Sequence, residues 1–154
     1  MKIVILGCGR VGSMLALALE DEGHQVSIID KKKDAFRRLP TRFKGQIVFG
    51  VGIDEDVLKK AGIEEADAFI ALTQGDNTNV MASQVVQERF RVPRVLARVY
   101  DPIRAQVFRE LGMHTVPTAR LLCGLFADML TGRPTQCIDD YLGETIEPAS
   151  KQEA

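Results

Sequence analysis

The sequence lacks the long apolar segments that mark membrane and exported proteins. No run approaches the roughly eighteen consecutive apolar residues that a membrane-spanning helix needs. Met1 and Lys2 lead directly into a short apolar stretch, without the basic region and extended apolar core of a signal peptide. We therefore expect a soluble, cytoplasmic protein with no direct membrane insertion.

Cysteine is scarce and scattered. Cys8, Cys123 and Cys137 are odd in number and show no C-x-x-C spacing, which argues against a disulfide framework or a zinc site. We predict no metal site. Cys8 lies just before a predicted helix, whose positive end could lower the pKa of its thiol, so a redox role is an alternative to simple packing.

An excess of either charge is also missing, because 20 Lys and Arg face 21 Asp and Glu. That balance does not favour a nucleic-acid partner. With 154 residues, the chain is long enough for a real core but short for a two-domain enzyme.

What the chain does have is a glycine motif. Gly7, Gly9 and Gly12 follow an apolar run at residues 3–6 with G-x-G-x-x-G spacing, and helix-forming residues continue over 13–20. Gly7 permits a tight turn, Gly9 lets a phosphate approach the backbone, and Gly12 lets the helix pack closely on the sheet. The helix N-terminus favours an anion, and Arg10 could add a bidentate phosphate contact.

An acidic residue stands where this motif requires one. Asp30 ends the apolar run at residues 26–29, where a carboxylate can bind an adenosine ribose and disfavour a 2′-phosphate. The lysines at 31–33 suit a solvated loop, although Lys31 beside Asp30 could also touch the nucleotide. Together these features predict a dinucleotide-binding βαβ unit rather than a purely structural turn.

Strand-like and helix-like segments alternate along the chain, which indicates an α/β fold, a Rossmann-like doubly wound parallel sheet of about six strands. The expected strands are 3–6, 26–29, 47–49, 68–72, 94–97 and, more weakly, 114–116. Expected helix N-caps are Asp54, Asp76 or Asn77, and Thr118, with Pro102 in the first turn of another helix.

The last predicted helix, at about residues 119–130, has a rich apolar face that needs a partner. Two alternatives stay open: it packs on its own domain, or it crosses to a second subunit. We divide the chain into a nucleotide-binding domain at 1–118, a crossover and dimerisation helix at 119–131, and a partly disordered tail at 132–154. Residues 137–142 could form a short element, and 143–154 are expected to be mobile.

No arrangement of side chains suggests catalysis. A dehydrogenase needs a proton donor beside the nicotinamide, usually from a second domain. His24 and His114 precede or begin strands and so lie away from their carboxyl ends. We predict that the chain is not an enzyme. The alternatives are a small NAD(P)-dependent oxidoreductase and a redox-sensing nucleotide-binding module of another assembly.

Beyond the glycine motif, the order of the pieces over residues 1 to about 130 resembles the RCK or KTN domain, the TrkA N-terminal type of regulator in Trk and Ktr potassium uptake systems. A generic Rossmann dehydrogenase does not carry this set of residues. The matching positions are Gly7, Gly9, Arg10, Val11, Gly12, Asp30, Gly50, Gly52, Asp54, Glu55, Asp56, Ala61, Gly62, Ala66, Asp67, Thr73, Asp76, Asn79, Ala97, Arg98, Leu111 and Gly112.

The resemblance implies a nucleotide-binding regulatory subunit that gates a Trk- or Ktr-type potassium transporter or channel. Its ligand would be NAD(H) or an adenine nucleotide such as AMP, ADP or ATP. Its partners would be a second copy or a larger ring, with or without a longer RCK subunit, and a membrane potassium transporter subunit. The protein would then be cytoplasmic, peripheral to the inner membrane through the transporter.

The resemblance also assigns site residues. Those matching the glycine motif surround phosphate, the one matching Asp30 holds the ribose, residues 51–53 flank the base, and Thr73, Gln74 and Arg98 lie near the rest of the ligand. Glu110 would approach the phosphates or a cation at the dimer interface. The full set is Gly7, Cys8, Gly9, Arg10, Val11, Gly12, Asp30, Lys31, Val51, Gly52, Ile53, Thr73, Gln74, Arg98 and Glu110.

Two departures from the family pattern bear on function. The family commonly has an acid at the position of Val51, suited to the adenine amino group, so base selectivity is open here. Full-length regulators also continue into a C-terminal ligand-binding lobe. Either this chain is an excised N-terminal domain, or it is a short subunit that assembles with a longer regulator.

Overall fold

Six strands form one sheet within residues 1–142, the part of the chain described by this computed structural model. All neighbouring strands are parallel, so the predicted Rossmann-like fold is confirmed. The strands are β1 (Lys2–Leu6), β2 (Gln25–Asp30), β3 (Gln46–Phe49), β4 (Ala68–Ala71), β5 (Arg94–Val99) and β6 (His114–Pro117). Their order across the sheet is β3-β2-β1-β4-β5-β6.

Helices connect these strands. They are α1 (Arg10–Asp21), α2 (Glu55–Lys60), α3 (Asp76–Val85), α4 (Pro102–Glu110), α5 (Thr118–Thr131) and α6 (Ile138–Leu142). A π-helical turn, Val86–Phe90, extends α3. Short 3₁₀ turns lie at Lys33–Arg38 and Ile63–Glu65.

The core occupies both faces of the sheet. Val4 and Leu6 of β1 contribute to one buried cluster, while Ile3 and Ile5 contribute to another. This follows from the alternation of side chains along a strand, and it explains why β1 is apolar at each of these positions. The central strand therefore holds the glycine turn at its end in a fixed place.

Two helix starts agree with the sequence. Asp54 caps α2 by accepting a hydrogen bond from the Asp56 amide at 2.9 Å. Pro102 occupies the first turn of α4, where Asp101 accepts a bond from the Ile103 amide at 2.9 Å. Both arrangements satisfy amides that a helix N-terminus leaves unpaired.

Two predicted caps are wrong. The N-cap of α3 is Gly75, not Asp76 or Asn77, because the Asp76 carboxylate instead accepts bonds from the Tyr100 and Asp101 amides at 2.9 and 3.2 Å. Thr118 lies inside α5, after Pro117 at the N-cap position, and it makes no capping bond. For Asp76, contacts distant in sequence determine what the carboxylate does, whereas the Thr118 hydroxyl is buried and finds no hydrogen-bond partner within residues 1–142.

The apolar face of α5 is not buried within residues 1–142. Four of its large side chains are exposed: Leu122, Phe126, Met129 and Leu130. The chain then turns back, and α6 covers another side of the helix, where the Tyr141 hydroxyl donates to the Asp128 carboxylate at 2.9 Å. The expected mobile segment at residues 143–154 lies outside the described residues.

None of the helices formed by residues 1–142 combines the length and apolar character that crossing a bilayer requires. In the same residues, we find no group of three or more His, Cys, Asp or Glu side chains arranged to hold a metal ion.

Candidate functional site

The glycine turn lies between β1 and α1, at the carboxyl edge of the sheet. Gly7 has a φ of 105°, and a Cβ there would lie 2.9 Å from the Thr73 amide nitrogen. A Cβ on Gly12 would lie 1.9 Å from the Gly7 carbonyl oxygen, whereas one on Gly9 would meet nothing within 4 Å. Gly7 and Gly12 are therefore needed for the protein's own packing, while Gly9 faces open space beside the helix start.

The first turn of α1 has no side-chain cap. Its N-cap is Gly9, whose carbonyl oxygen accepts a bond from the Ser13 hydroxyl at 2.8 Å. Arg10 and Val11 are exposed at the start of the helix. This end of the helix carries the positive end of the dipole, so amides and guanidinium together suit an anion such as phosphate.

The Asp30 carboxylate is fixed beside the glycine turn. Its two oxygens accept bonds from the Cys8 and Lys32 amides, each at 2.8 Å. The carboxylate therefore joins the ends of β1 and β2 in addition to any role toward a ribose. Lys31 lies next to it and is exposed.

The Cys8 thiol is enclosed within the protein. The side chain is fully buried, and its Sγ donates to the Ala35 carbonyl oxygen at 3.4 Å. Burial, followed by the charge of Asp30, raises the pKa of the thiol to about 11. The pKa is thus raised rather than lowered, because desolvation dominates, and this argues against the redox alternative and for simple packing of Cys8. Since the thiol stays protonated near neutral pH, it is a poor redox nucleophile.

The loop after β3 comes over the end of β1. Gly52 is buried, and a Cβ there would lie 2.2 Å from Cδ1 of Leu6. Val51 and Ile53 on either side are 49% and 39% exposed. Two exposed apolar side chains held at this edge offer a surface against which a planar base could pack.

Thr73 and Arg98 meet at the ends of β4 and β5. One Arg98 nitrogen, Nη2, donates to the Thr73 carbonyl oxygen at 2.7 Å. The Thr73 amide and hydroxyl both donate to Oδ1 of Asn79, at 2.8 and 2.7 Å. The Nε of Arg98 is buried and finds no hydrogen-bond acceptor among residues 1–142. Gln74 follows Thr73 and is exposed.

Glu110 does not lie near Thr73 and Arg98 of the same chain. It ends α4, which runs from the carboxyl edge of β5 back toward the start of β6, so it lies at the opposite edge of the sheet. There its carboxylate accepts a bond from Gln106 at 3.3 Å. Its predicted role at a dimer interface stays a prediction.

Sequence reasoning missed Asn79 and Asp76 as organisers of the site. Asp76 begins α3 and Asn79 lies in its first turn, where Asn and Asp side chains commonly bond to local backbone amides, and this made the local interpretation the simpler one. The available signal was the family-like spacing of Thr73, Asp76 and Asn79, which marks these positions without showing that Asp76 and Asn79 bond to the backbone of residues 98–101.

Known protein sequences resemble this chain over most of its length. The family model of the TrkA-N domain matches residues 3–118. The Trk system potassium uptake protein TrkA of Streptomyces coelicolor is 55% identical over 120 residues, covering 78% of this chain and 54% of that protein. A TrkA homologue of Pyrococcus abyssi is 35% identical over 111 residues, covering 72% and 49%. The chain thus spans about half the length of these curated relatives.

Solved structures share the fold at lower identity. The TrkA-N domain of the Escherichia coli inner membrane protein ybaL has a TM-score of 0.75 and 19% identity, with coverage of 84% of this chain and 96% of that one. The AMP-bound Kef CTD of Shewanella denitrificans has a TM-score of 0.68 and 18% identity, with coverage of 92% and 86%. The GsuK channel bound to NAD has a TM-score of 0.69 and 24% identity, with coverage of 80% and 22%.

Proposed function

Because this chain belongs to the TrkA-N domain family, we propose that it is a nucleotide-sensing regulatory element of a Trk- or Ktr-type potassium uptake system. The observation that carries the proposal is the uncapped start of α1 beside Gly9, with the Asp30 carboxylate fixed next to it. Solved relatives of the same fold bound to AMP and to NAD support adenine nucleotides as the ligand class.

The width of the site favours an elongated ligand. Asp30 ends β2 and Arg98 lies near the end of β5, three strand positions apart across β1 and β4. At about 4.8 Å per strand, the two positions are about 14 Å apart. NAD(H) would place its adenosine at Asp30, its phosphates at α1 and its second nucleoside toward Thr73 and Arg98. AMP, ADP or ATP would occupy the first two parts.

The proposed role is regulatory rather than catalytic. Nucleotides would bind unequally to two arrangements of paired subunits, and that difference would shift the population between them. The shift would act on a membrane potassium transporter, at the cytoplasmic face of the inner membrane. The ring would contain copies of this chain, with or without a longer RCK subunit.

The exposed face of α5 supports the pairing. Leu130 is 90% exposed and Phe126 is 63% exposed, and apolar side chains gathered in this way favour burial against a partner. In a dimer with a two-fold axis, the apolar face of α5 in each copy would cover that of the other. Glu110 would then belong to the interface rather than to the cleft of its own chain, by which we mean the carboxyl edge of the sheet between Asp30 and Arg98.

Calorimetric titration with NADH, NAD, AMP, ADP and ATP, alongside light scattering for mass, tests the proposal. We expect binding with a dissociation constant in the micromolar range, about −8 kcal/mol, for at least one of these ligands by a dimer or larger ring. Equal affinity for all five and identical scattering profiles would contradict a sensing role, since a ligand must distinguish two states to shift them. No binding at all would contradict the nucleotide site itself.

A further inference from the structure

Asn79 is the polar side chain at the centre of the β4 and β5 ends. It is fully buried, with an exposed fraction of 0%. Its Oδ1 accepts bonds from the Thr73 amide and hydroxyl, at 2.8 and 2.7 Å. Its Nδ2 donates to the carbonyl oxygens of Thr73 and Arg98, at 3.0 and 2.9 Å. Both donors and the acceptor oxygen of the amide are thus used, which allows one orientation only.

These bonds connect Asn79 to the glycine turn. Thr73 lies directly against Gly7, as shown by the 2.9 Å that would separate a Gly7 Cβ from the Thr73 nitrogen. Arg98 is joined to the same residue through its Nη2 and the Thr73 carbonyl oxygen. One amide therefore fixes the backbone on the far side of the cleft from Asp30, while remaining out of reach of solvent.

We propose that Asn79 is a positioning residue that sets affinity for the second half of a dinucleotide without touching it, an inference that rests on the proposed function. An amide that holds Thr73 and Arg98 in register lowers the conformational cost of ligand binding at these residues. A mononucleotide at α1 and Asp30 gains little from this. Loss of Asn79 therefore changes selectivity between long and short ligands.

The test compares NADH and AMP binding by calorimetry in Asn79→Ala and in the milder Asn79→Ser. We expect NADH affinity to fall about tenfold or more, as for loss of about 1.4 kcal/mol, while AMP affinity stays within about threefold. Two matched controls lie on the same helix. Val80→Ala removes buried apolar volume beside Asn79, and Ser83→Ala removes a buried hydroxyl that has no hydrogen-bond partner among residues 1–142. Both should keep the parental ratio of NADH to AMP affinity.

A measurement on the unaltered protein does not depend on how the variants fold. In NMR spectra, the two side-chain amide protons of Asn79 should exchange slowly with water, and they should shift when NADH binds but much less when AMP binds. Rapid exchange, or equal shifts with the two ligands, would overturn the inference.

The remaining outcomes are also decisive. An unchanged affinity ratio in a folded Asn79 variant, or the same loss in Val80→Ala, would overturn the positioning role while leaving the nucleotide site in place. Failure of the unaltered protein to bind any nucleotide would overturn the proposed function and this inference together.

Discussion

Side chains near the glycine turn differ in what already holds them. The Asp30 carboxylate and the Asn79 amide are bonded to the protein's own backbone, and the Cys8 thiol is buried. Arg10 and Val11 are exposed. Groups of the first kind shape the cleft, whereas those of the second kind are available for a ligand. Substitutions at Arg10 should therefore affect binding rather than folding.

Replacing Arg10 with alanine tests that separation. We expect nucleotide binding to weaken by about 1.5 to 3 kcal/mol, the range for a charge-assisted bond to phosphate, with the thermal midpoint unchanged. Arg37→Ala is the control, because Arg37 is exposed and pairs with Asp34 in the turn after β2. Unchanged affinity in Arg10→Ala would remove Arg10 from the site.

The buried Cys8 thiol makes stability depend on alkaline pH. Its pKa is raised from 9.0 to about 11 in the folded protein, so folding favours the protonated form. The resulting stabilisation is complete below pH 9 and is lost as the pH rises from 9 to 11. Two pKa units correspond to about 2 to 3 kcal/mol.

Urea unfolding of the unaltered protein and Cys8→Ala between pH 7 and pH 11 measures this loss. Relative to Cys8→Ala, the unaltered protein should lose about 2 to 3 kcal/mol of its free energy of unfolding across the upper part of that range. Parallel curves for the two proteins would show that Cys8 does not titrate in this way.

At the scale of elements, the sequence predicted the strands and the glycine turn well, because both depend on local patterns of residues. Helix starts were harder. Asp76 begins α3 but bonds to the Tyr100 and Asp101 amides, which belong to the start of the next connection. Neither that contact nor the inward orientation of Asn79 can be inferred from neighbours in the chain, because both depend on β5 lying beside β4.

The turn from β1 into α1 allows a paired test of two glycines. Gly12→Ala would place a Cβ 1.9 Å from the Gly7 carbonyl oxygen, so we expect it to lower the free energy of unfolding by about 3 kcal/mol or more. Gly9→Ala meets no protein atom within 4 Å and has an ordinary φ of −78°, so its stability should change by less than about 0.5 kcal/mol.

The same pair should behave in the opposite way toward ligand. A Cβ on Gly9 projects into the open space beside the helix start, so Gly9→Ala should lose nucleotide affinity while remaining folded. Chemical denaturation and calorimetry on both variants provide the comparison. A stable Gly12→Ala, or a Gly9→Ala that binds as the unaltered protein does, would contradict this division of roles.

For the whole molecule, the exposed face of α5 is the feature that bears on the proposed pairing of subunits. The sequence left open whether the apolar face of α5 packs on its own domain or on a second subunit. Within residues 1–142, that face is largely exposed. Within residues 1–142, the short return through α6 covers the side that carries Asp128 and Gly124 and leaves the other large apolar side chains exposed. Periodicity along the sequence predicts such a face but does not show what covers it.

A charge placed in the exposed face of α5 tests the proposed pairing. Phe126→Glu should convert an assembly to monomers by light scattering, because a carboxylate buried without a partner costs several kcal/mol. Met14→Glu is the control, since Met14 is an apolar residue on α1 that is exposed to a similar extent, 71% against 63% for Phe126. Mononucleotide binding should survive in both variants. Assemblies of unchanged mass in Phe126→Glu would exclude this face as the interface.

The contact between Gly7 and Thr73 joins segments far apart in the chain, so we expect it to form late in folding. β1 pairs with β2 within the first thirty residues, but its pairing with β4 brings together Ile3 and Ala68, far apart in the chain. Closing such long connections is slow because chain entropy opposes it. A partly folded chain could thus contain the glycine turn and Asp30 while lacking the opposite wall of the cleft. Dinucleotide binding, unlike helix content, would report the step at which β4 pairs with β1.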